Sequence, residues 1–253
     1  MPSLPSPFRG AGRVVAGQVG RLHATLERLA GEVRERSGRY VEAILERFPG
    51  GGWVLGGWSF GGVLGYETAR QLTAAGHRVA LLVLLDAALP LPVPAGTEDQ
   101  ALARRFTAFA DYLSRTYGRT VRLAAGELLG LAEDAQLDLV MRRMAEAGLT
   151  EELSPAILRH QHTSHEDTRA LERYRAEPYD GPVVLYRAER ETPWAVADPR
   201  YEITGETRGW DRLCRGLEAV GIDAHHLNLL DPPAVGVVAG HLRALLNRIG
   251  GEQ

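Results

Sequence analysis

Trp53-Val54-Leu55-Gly56-Gly57-Trp58-Ser59-Phe60-Gly61-Gly62-Val63-Leu64-Gly65-Tyr66 is the stretch on which the fold turns. The apolar run Trp53 to Leu55 predicts a buried strand, and a helical pattern starts near Gly62 and continues through Thr68, Ala69 and Leu72. Between them, Gly57-Trp58-Ser59-Phe60-Gly61 matches G-x-S-x-G, which on a strand-turn-helix makes a nucleophile elbow. So tight a turn holds the serine in a strained backbone conformation. Glycines two positions to either side avoid Cβ clashes between strand and helix. The serine Oγ then projects from the end of the sheet above the helix N-terminus. There the N–H of Phe60 and the positive end of the helix face the place where an oxyanion forms. In a chain with 29 glycines the pattern by itself also fits a glycine-rich turn with a bystander serine. The strand before it and the helix after it favour the elbow.

Toward the N-terminus, a helix is predicted over Arg39 to Phe48, carrying Tyr40, Val41, Ile44 and Leu45 and ended by Gly50-Gly51-Gly52. Before it, Val15, Val19, Leu22, Leu26, Leu29 and Val33 recur at heptad spacing. They form either one amphipathic helix on the domain's own core or a helix that pairs two copies of the chain. Residues 1–12, rich in Pro, Gly and Ser, predict a disordered tail, which leaves 13–48 as N-terminal helices. Toward the C-terminus, Val79 to Leu85 is a continuous apolar run, as in a parallel strand covered on both faces, and it ends in Asp86. Residues 97–177 read as helices near Glu98–Tyr117, Asp134–Ala147 and Ser154–Arg175, an insertion with the character of a lid. The sheet pattern resumes with Val183 to Ala188. A helix from Gly209 to Val220, a short last strand from Ile222 to Leu227 and a final helix from about Pro232 complete the order. The expected architecture is therefore α/β, a mostly parallel sheet built from 49–96 and 178–250 and interrupted by the helical block.

The bulk numbers exclude several classes. The 253 residues are 45% hydrophobic with a net charge of -3, which suits one well-buried domain and gives no reason to expect nucleic acid or a membrane surface as partner. The single cysteine, Cys214, lies in a stretch read as helix and is expected to be a packed thiol, compatible with a reducing compartment. Met1 to Pro5 starts no apolar signal sequence and no stretch reaches membrane-spanning length, so a soluble, cytoplasmic protein is expected. His160, His162 and His165 cluster, but only His162 and His165 share a helix face, so no metal site is expected there.

Ser59, Asp86 and His226 follow the chain order of a Ser-acid-His triad, each at a predicted strand end or in the turn beyond it. A serine hydroxyl is a weak nucleophile until an imidazole takes its proton, and a carboxylate fixes the imidazole's tautomer. Taken singly, Asp86 also reads as a helix N-cap or loop carboxylate, and His226 as a polar residue at a strand end. His225 competes for the role of base, because adjacent strand residues point to opposite faces. Glu189 and Glu191 compete for the role of acid.

The sequence resembles the thioesterase domains of polyketide synthases and nonribosomal peptide synthetases, α/β-hydrolases in fold. The matching residues are Gly56 to Gly62 with Tyr66-Glu67 and Ala69, then Leu84-Leu85-Asp86 with Pro90. Tyr174, Pro178 to Pro182, Leu185 to Ala188 and Gly209-Trp210 continue the match, which closes with His226 to Leu230, Pro233 and Val235. The likeness runs from about Arg39 to Asn247. It implies Ser59, Asp86 and His226 as catalytic residues, with Phe60 and Trp58 at the oxyanion and substrate side. It implies an acyl chain arriving as a thioester on the phosphopantetheine arm of an acyl or peptidyl carrier protein, with no further cofactor. Hydrolysis or cyclisation would release the chain. Arg104, Arg105, Arg142 and Arg143 are candidates to meet an acidic carrier, and also ordinary solvated helix faces.

One departure stands out. Members of that family have several strands before the elbow strand, and a His-Pro and glycine loop after an early one gives the second oxyanion N–H. Residues 1–48 read instead as tail and helix. The edge of Trp53–Leu55 then needs a cover, for which the heptad helix is the candidate, from its own subunit or from a homodimer partner. Three readings follow. They are a serine thioesterase or cyclase with a short N-terminus, a related enzyme repurposed for cyclisation or dehydration with the His-Asp pair, and a non-catalytic carrier-binding module. The intact triad favours the first.

Overall fold

The computed structural model describes residues 32–50, 52–92, 97–149, 165–192, 199–201 and 205–251. The tail, the heptad stripe up to Leu29 with the dimer and edge-cover roles assigned to it, and His160 and His162 all lie outside the described residues.

Four strands form one parallel sheet in the order β1-β2-β3-β4: β1 (Trp53–Trp58), β2 (Val79–Leu85), β3 (Tyr179–Ala188) and β4 (Cys214–Ile222). The central strand β2, Val-Ala-Leu-Leu-Val-Leu-Leu, is buried nearly throughout, as the uninterrupted apolar run predicts for a strand covered on both faces. Alternate side chains serve the two faces. Val54, Leu81, Val83, Val184, Tyr186 and Ile222 join Val238, Leu245 and Leu246 of the last helix, α6 (Ala234–Gly251), in one core cluster. On the other face lies α2 (Phe60–Ala74), whose Gly65 is so close to the sheet that a Cβ there would sit 3.6 Å from Leu82 Cδ1.

The helix before the elbow strand, α1 (Val33–Arg47), starts six residues earlier than the sequence pattern predicts and packs on α2. Its Ser37 hydroxyl donates to the Leu64 carbonyl at 3.2 Å, and the Gln71 amide of α2 donates to the Arg34 carbonyl at 3.0 Å. Val33, Tyr40 and Ile44 are buried beneath it. Among the described residues β1 pairs with β2 alone.

Two predicted elements are corrected. The segment expected as a helix from Gly209 to Val220 is a short 3-10 turn, Trp210–Arg212, followed by β4. Leu213, Leu217 and Val220 sit at helical spacing, but β3 offers a parallel partner along Cys214–Ile222, and pairing overrides a short ambiguous period. Polar residues are tolerated there because, among the described residues, β4 has a strand neighbour on one side only. The last strand therefore ends at Ile222, and His225 and His226 lie in the turn beyond it rather than on a strand. Cys214 opens β4 and is buried, which pushes its thiol up to about 12.

The chain divides into two compact units. One holds the described residues within Met1–Leu89, Asp167–Thr192 and Ile203–Gln253, and the other those within Pro90–Glu166 and Pro193–Glu202. The second contains α3 (Glu98–Tyr117), α4 (Ala125–Leu128) and α5 (Glu133–Glu146) around Leu102, Phe106, Ala110, Leu113, Val140 and Met144. His165 of this unit stacks on Phe106 and bonds Glu133 through Nε2 at 3.1 Å. Arg143 pairs with Glu127 and Glu146. Residues Asp167 to Glu177 attach to the sheet unit, where the Tyr174 hydroxyl donates to buried Glu67 at 2.7 Å. Among the described residues no group of side chains could hold a metal ion, and no helix is long and apolar enough to cross a membrane.

Candidate active site

β1 ends at Trp58 and α2 starts at Phe60, so Ser59 alone makes the turn. Its backbone sits at φ 56 and ψ -126, a conformation that side chains rarely adopt. Two backbone bonds hold it there: its N–H donates to the Leu85 carbonyl at 2.9 Å, and its carbonyl accepts the Gly62 N–H at 3.0 Å. The glycines divide the work differently from the simple motif. A Cβ on Gly57 would lie 2.1 Å from the Gly61 carbonyl oxygen, and one on Gly62 would lie 2.5 Å from the Ala87 Cβ. A Cβ on Gly61 would meet nothing within 4 Å. The elbow therefore requires Gly57 and Gly62, and Gly61 matters through its backbone. The Phe60 N–H stands in the first turn of α2, and the Arg36 guanidinium lies 5.6 Å from the Phe60 ring centroid.

Asp86 follows β2 directly, is 4% exposed, and also has a positive φ, 48. Its N–H donates to the Tyr186 carbonyl at 2.7 Å, which carries the β2–β3 ladder one residue past the strand end. Its Oδ2 lies 2.7 Å from His226 Nδ1. Its Oδ1 accepts the Ala188 N–H at 2.7 Å and an Arg208 Nη1 hydrogen at 2.9 Å. Burial opposes the charge. The bond to His226, the Ala188 N–H and the Arg208 guanidinium outweigh it and hold the carboxyl below its ordinary range. An ionised carboxylate only accepts, so the hydrogen of the bond belongs to Nδ1 and the lone pair of the ring to Nε2. Among the described residues nothing hydrogen-bonds to Nε2, nor to the Ser59 hydroxyl.

The position of the ring is set from the elbow itself. The Trp58 indole stacks on the His226 ring at 4.6 Å between centroids, and its Nε1–H donates to the His226 carbonyl at 3.1 Å. The side chain next to Ser59 in sequence thus holds the imidazole in place. At 40% exposed, Trp58 keeps part of its ring open to solvent. The His226 N–H donates to Thr192 Oγ1 at 3.3 Å. His225 serves its own turn: its N–H donates to Asn228 Oδ1 and its Nδ1 accepts the Leu227 N–H. Glu189 pairs with Arg187, and Glu191 is exposed. The structure brings Asp86, His226 and Trp58 into direct contact and leaves His225, Glu189 and Glu191 outside.

The sequence pattern missed Arg208. One signal exists in the backbone: among the described residues, the non-glycine residues of positive φ are Ser59, Asp86 and Arg208. Two of them were expected at the site, and the third bonds one of those two.

A family profile described as Thioesterase domain matches residues 18–246. The orsellinic acid synthase of Beauveria bassiana is 27% identical over 198 residues, covering 75% of this chain and 9% of that protein. A solved four-domain nonribosomal peptide synthetase bound to AMP and glycine is 30% identical, with a TM-score of 0.57 over 85% of this chain and 16% of the other. The NocB thioesterase domain, in a covalent complex with a fluorophosphonate nocardicin G analogue, is similar in fold, at 24% identity and a TM-score of 0.50 over 85% of this chain and 75% of the other. The chain spans 3% of the length of a curated non-reducing polyketide synthase of Aspergillus flavus that it matches and 9% of the orsellinic acid synthase. With the profile match running through elbow, acid and histidine segments alike, the chain belongs to the Thioesterase domain family.

Proposed function

We propose that the chain releases an acyl group from a thioester on the phosphopantetheine arm of an acyl or peptidyl carrier protein, through an acyl-Ser59 intermediate. The observation that carries this is the Asp86–His226 pair, with an unoccupied Nε2, set against the indole that adjoins the strained serine. In the first half-reaction His226 Nε2 takes the Ser59 proton as Oγ bonds to the thioester carbonyl carbon. Asp86 steadies the imidazolium. The Phe60 N–H, at the positive end of α2, is the donor assigned to the oxyanion. The C–S bond then breaks and the imidazolium proton goes to the departing thiolate. In the second half-reaction His226 takes a proton from water, or from a hydroxyl or amine of the acyl chain itself. That nucleophile displaces Oγ, which recovers the proton. Water gives an acid, and an internal nucleophile gives a ring. The exposed part of Trp58 faces the substrate side of this scheme.

The test uses an acyl N-acetylcysteamine thioester as surrogate, following free thiol with a colorimetric reagent and product by mass spectrometry. Thiol and acyl product should appear one for one, through a transient acyl adduct, and both should vanish in Ser59→Ala. Thiol release that survives Ser59→Ala but fails in His226→Ala would contradict the acyl-serine route in favour of chemistry at the His-Asp pair. Indifference to both substitutions would leave a binding module.

A further inference from the structure

We propose that Arg208 is a positioning residue for the acid of the triad, clamping Asp86 so that only Oδ2 is presented to His226. A carboxylate joined to the chain by one soft torsion can turn and offer either oxygen. Here Oδ1 is taken twice, by the Ala188 N–H at 2.7 Å and by Arg208 Nη1 at 2.9 Å. Arg208 Nη2 donates in turn to the Ala188 carbonyl at 3.1 Å. The guanidinium therefore spans the acid and the end of β3, as its rigid fork allows and a lysine's single ammonium does not.

The turn that delivers Arg208 is built for the purpose. Arg208 and Gly209 are both left-handed, φ 48 and 81, which reverses the chain between Gly205 and Trp210. The Trp210 N–H donates to the Thr207 carbonyl at 3.0 Å. Trp210 itself is fully buried, and its Nε1–H donates to the carbonyl of Ala87, the residue after the acid, at 2.9 Å. Acid segment and turn are thus tied twice, once through the backbone at Ala87 and once through the charge at Asp86. A strained arginine is an expensive way to fill space; strain of this kind persists where the surroundings fix it, and it gathers at working sites. Among the described residues, the titratable or charged groups that meet Asp86 are His226 and Arg208. A cation beside the acid also opposes formation of the imidazolium that the acid steadies.

The effect of Arg208 on turnover rests on the acyl-serine reading; its effect on Asp86 does not. The test therefore follows both in wild type, Arg208→Gln and Arg208→Lys. With 13C-labelled aspartate, assigned through Asp86→Asn, the Asp86 carboxyl should titrate at a higher pH in Arg208→Gln and close to its wild-type position in Arg208→Lys. The acid limb of kcat/KM for the surrogate thioester should move to higher pH in Arg208→Gln, because a cation opposing protonation of the pair is gone. Arg208→Lys should lower the plateau, roughly 3- to 10-fold, without moving that limb. An Asp86 that titrates alike in wild type and Arg208→Gln overturns the proposal, with or without turnover. So does an equal displacement in Arg208→Lys, which would mark general loosening rather than a charge. A wild type that never acylates Ser59, but shows the Asp86 displacement, overturns only the acyl-serine reading.

Discussion

The sheet unit contains two histidines that bond a carboxylate, and they behave differently. His241 of α6 has both ring nitrogens engaged, Nδ1 with the Tyr186 hydroxyl at 3.0 Å and Nε2 with Glu218 at 3.1 Å. Its hydroxyl partner sits in the regular backbone of β3, where burial pushes the phenol up to about 12. Its carboxylate is 47% exposed. His226 has one nitrogen engaged, with a carboxylate only 2% exposed, and the other left open. The hydroxyl-bearing residue assigned to it, Ser59, stands at a strained turn rather than in a strand. A carboxylate-histidine-hydroxyl series is thus not a site by composition. The open nitrogen, the buried and fully bonded acid and the strained turn separate a site from a strut.

Breaking the comparison should be most severe at the site. Ser59→Ala or His226→Ala should lower turnover of a thioester by roughly 10⁶-fold, while His241→Ala should leave kcat/KM within about twofold of wild type. Comparable losses from the two histidines would erase the distinction. Asp86→Asn should cost roughly 10⁴-fold by favouring the wrong tautomer, and Glu218→Gln should cost little. The same substitution has a signature in acid. Folding lowers the Asp86 carboxyl, so its contribution to stability is complete above about pH 4 and is lost as pH falls through the lower folded value. Wild type and Asp86→Asn should therefore converge in stability as the pH drops, as read from urea midpoints.

Smaller effects sharpen the contrast between strained turn and regular strand. Gly57→Ala should destabilise by about 3 kcal/mol, because the added Cβ meets backbone, while Gly61→Ala should stay within about 1 kcal/mol of wild type. Thermal or urea unfolding decides between them, and equal losses would contradict the assignment of the crowded position to Gly57. Smallest of all, Tyr186→Phe should lose about 1 kcal/mol, the net worth of one hydrogen bond, with activity retained.

What could be read in the sequence is what local pattern and contiguity record. The elbow, the buried run Val79 to Leu85, the chain order of Ser59, Asp86 and His226 and the helix Glu98–Tyr117 are all visible as short signals with a physical reason. β4 was not, because most of its residues are polar, glycine or partly exposed, and Leu213, Leu217 and Val220 fall at helical spacing across its start. Gly216, inside the expected helix, was a signal against it. The choice of His226 over His225 could not come from strand alternation, since neither lies on a strand. It came from the resemblance, and the geometry that agrees with it comes from Asp86 and Trp58. Arg208 had no local signal, because a guanidinium meeting a carboxylate far along the chain leaves no period behind.

The central claim is that Ser59 is made nucleophilic by His226 and Asp86, and intact-protein mass spectrometry after treatment with a fluorophosphonate tests it most directly. One adduct, mapped to the peptide containing Ser59 and lost in both Ser59→Ala and His226→Ala, is the predicted result. A wild-type protein that takes up no label, or takes it up as fast when His226 is alanine, would contradict the account.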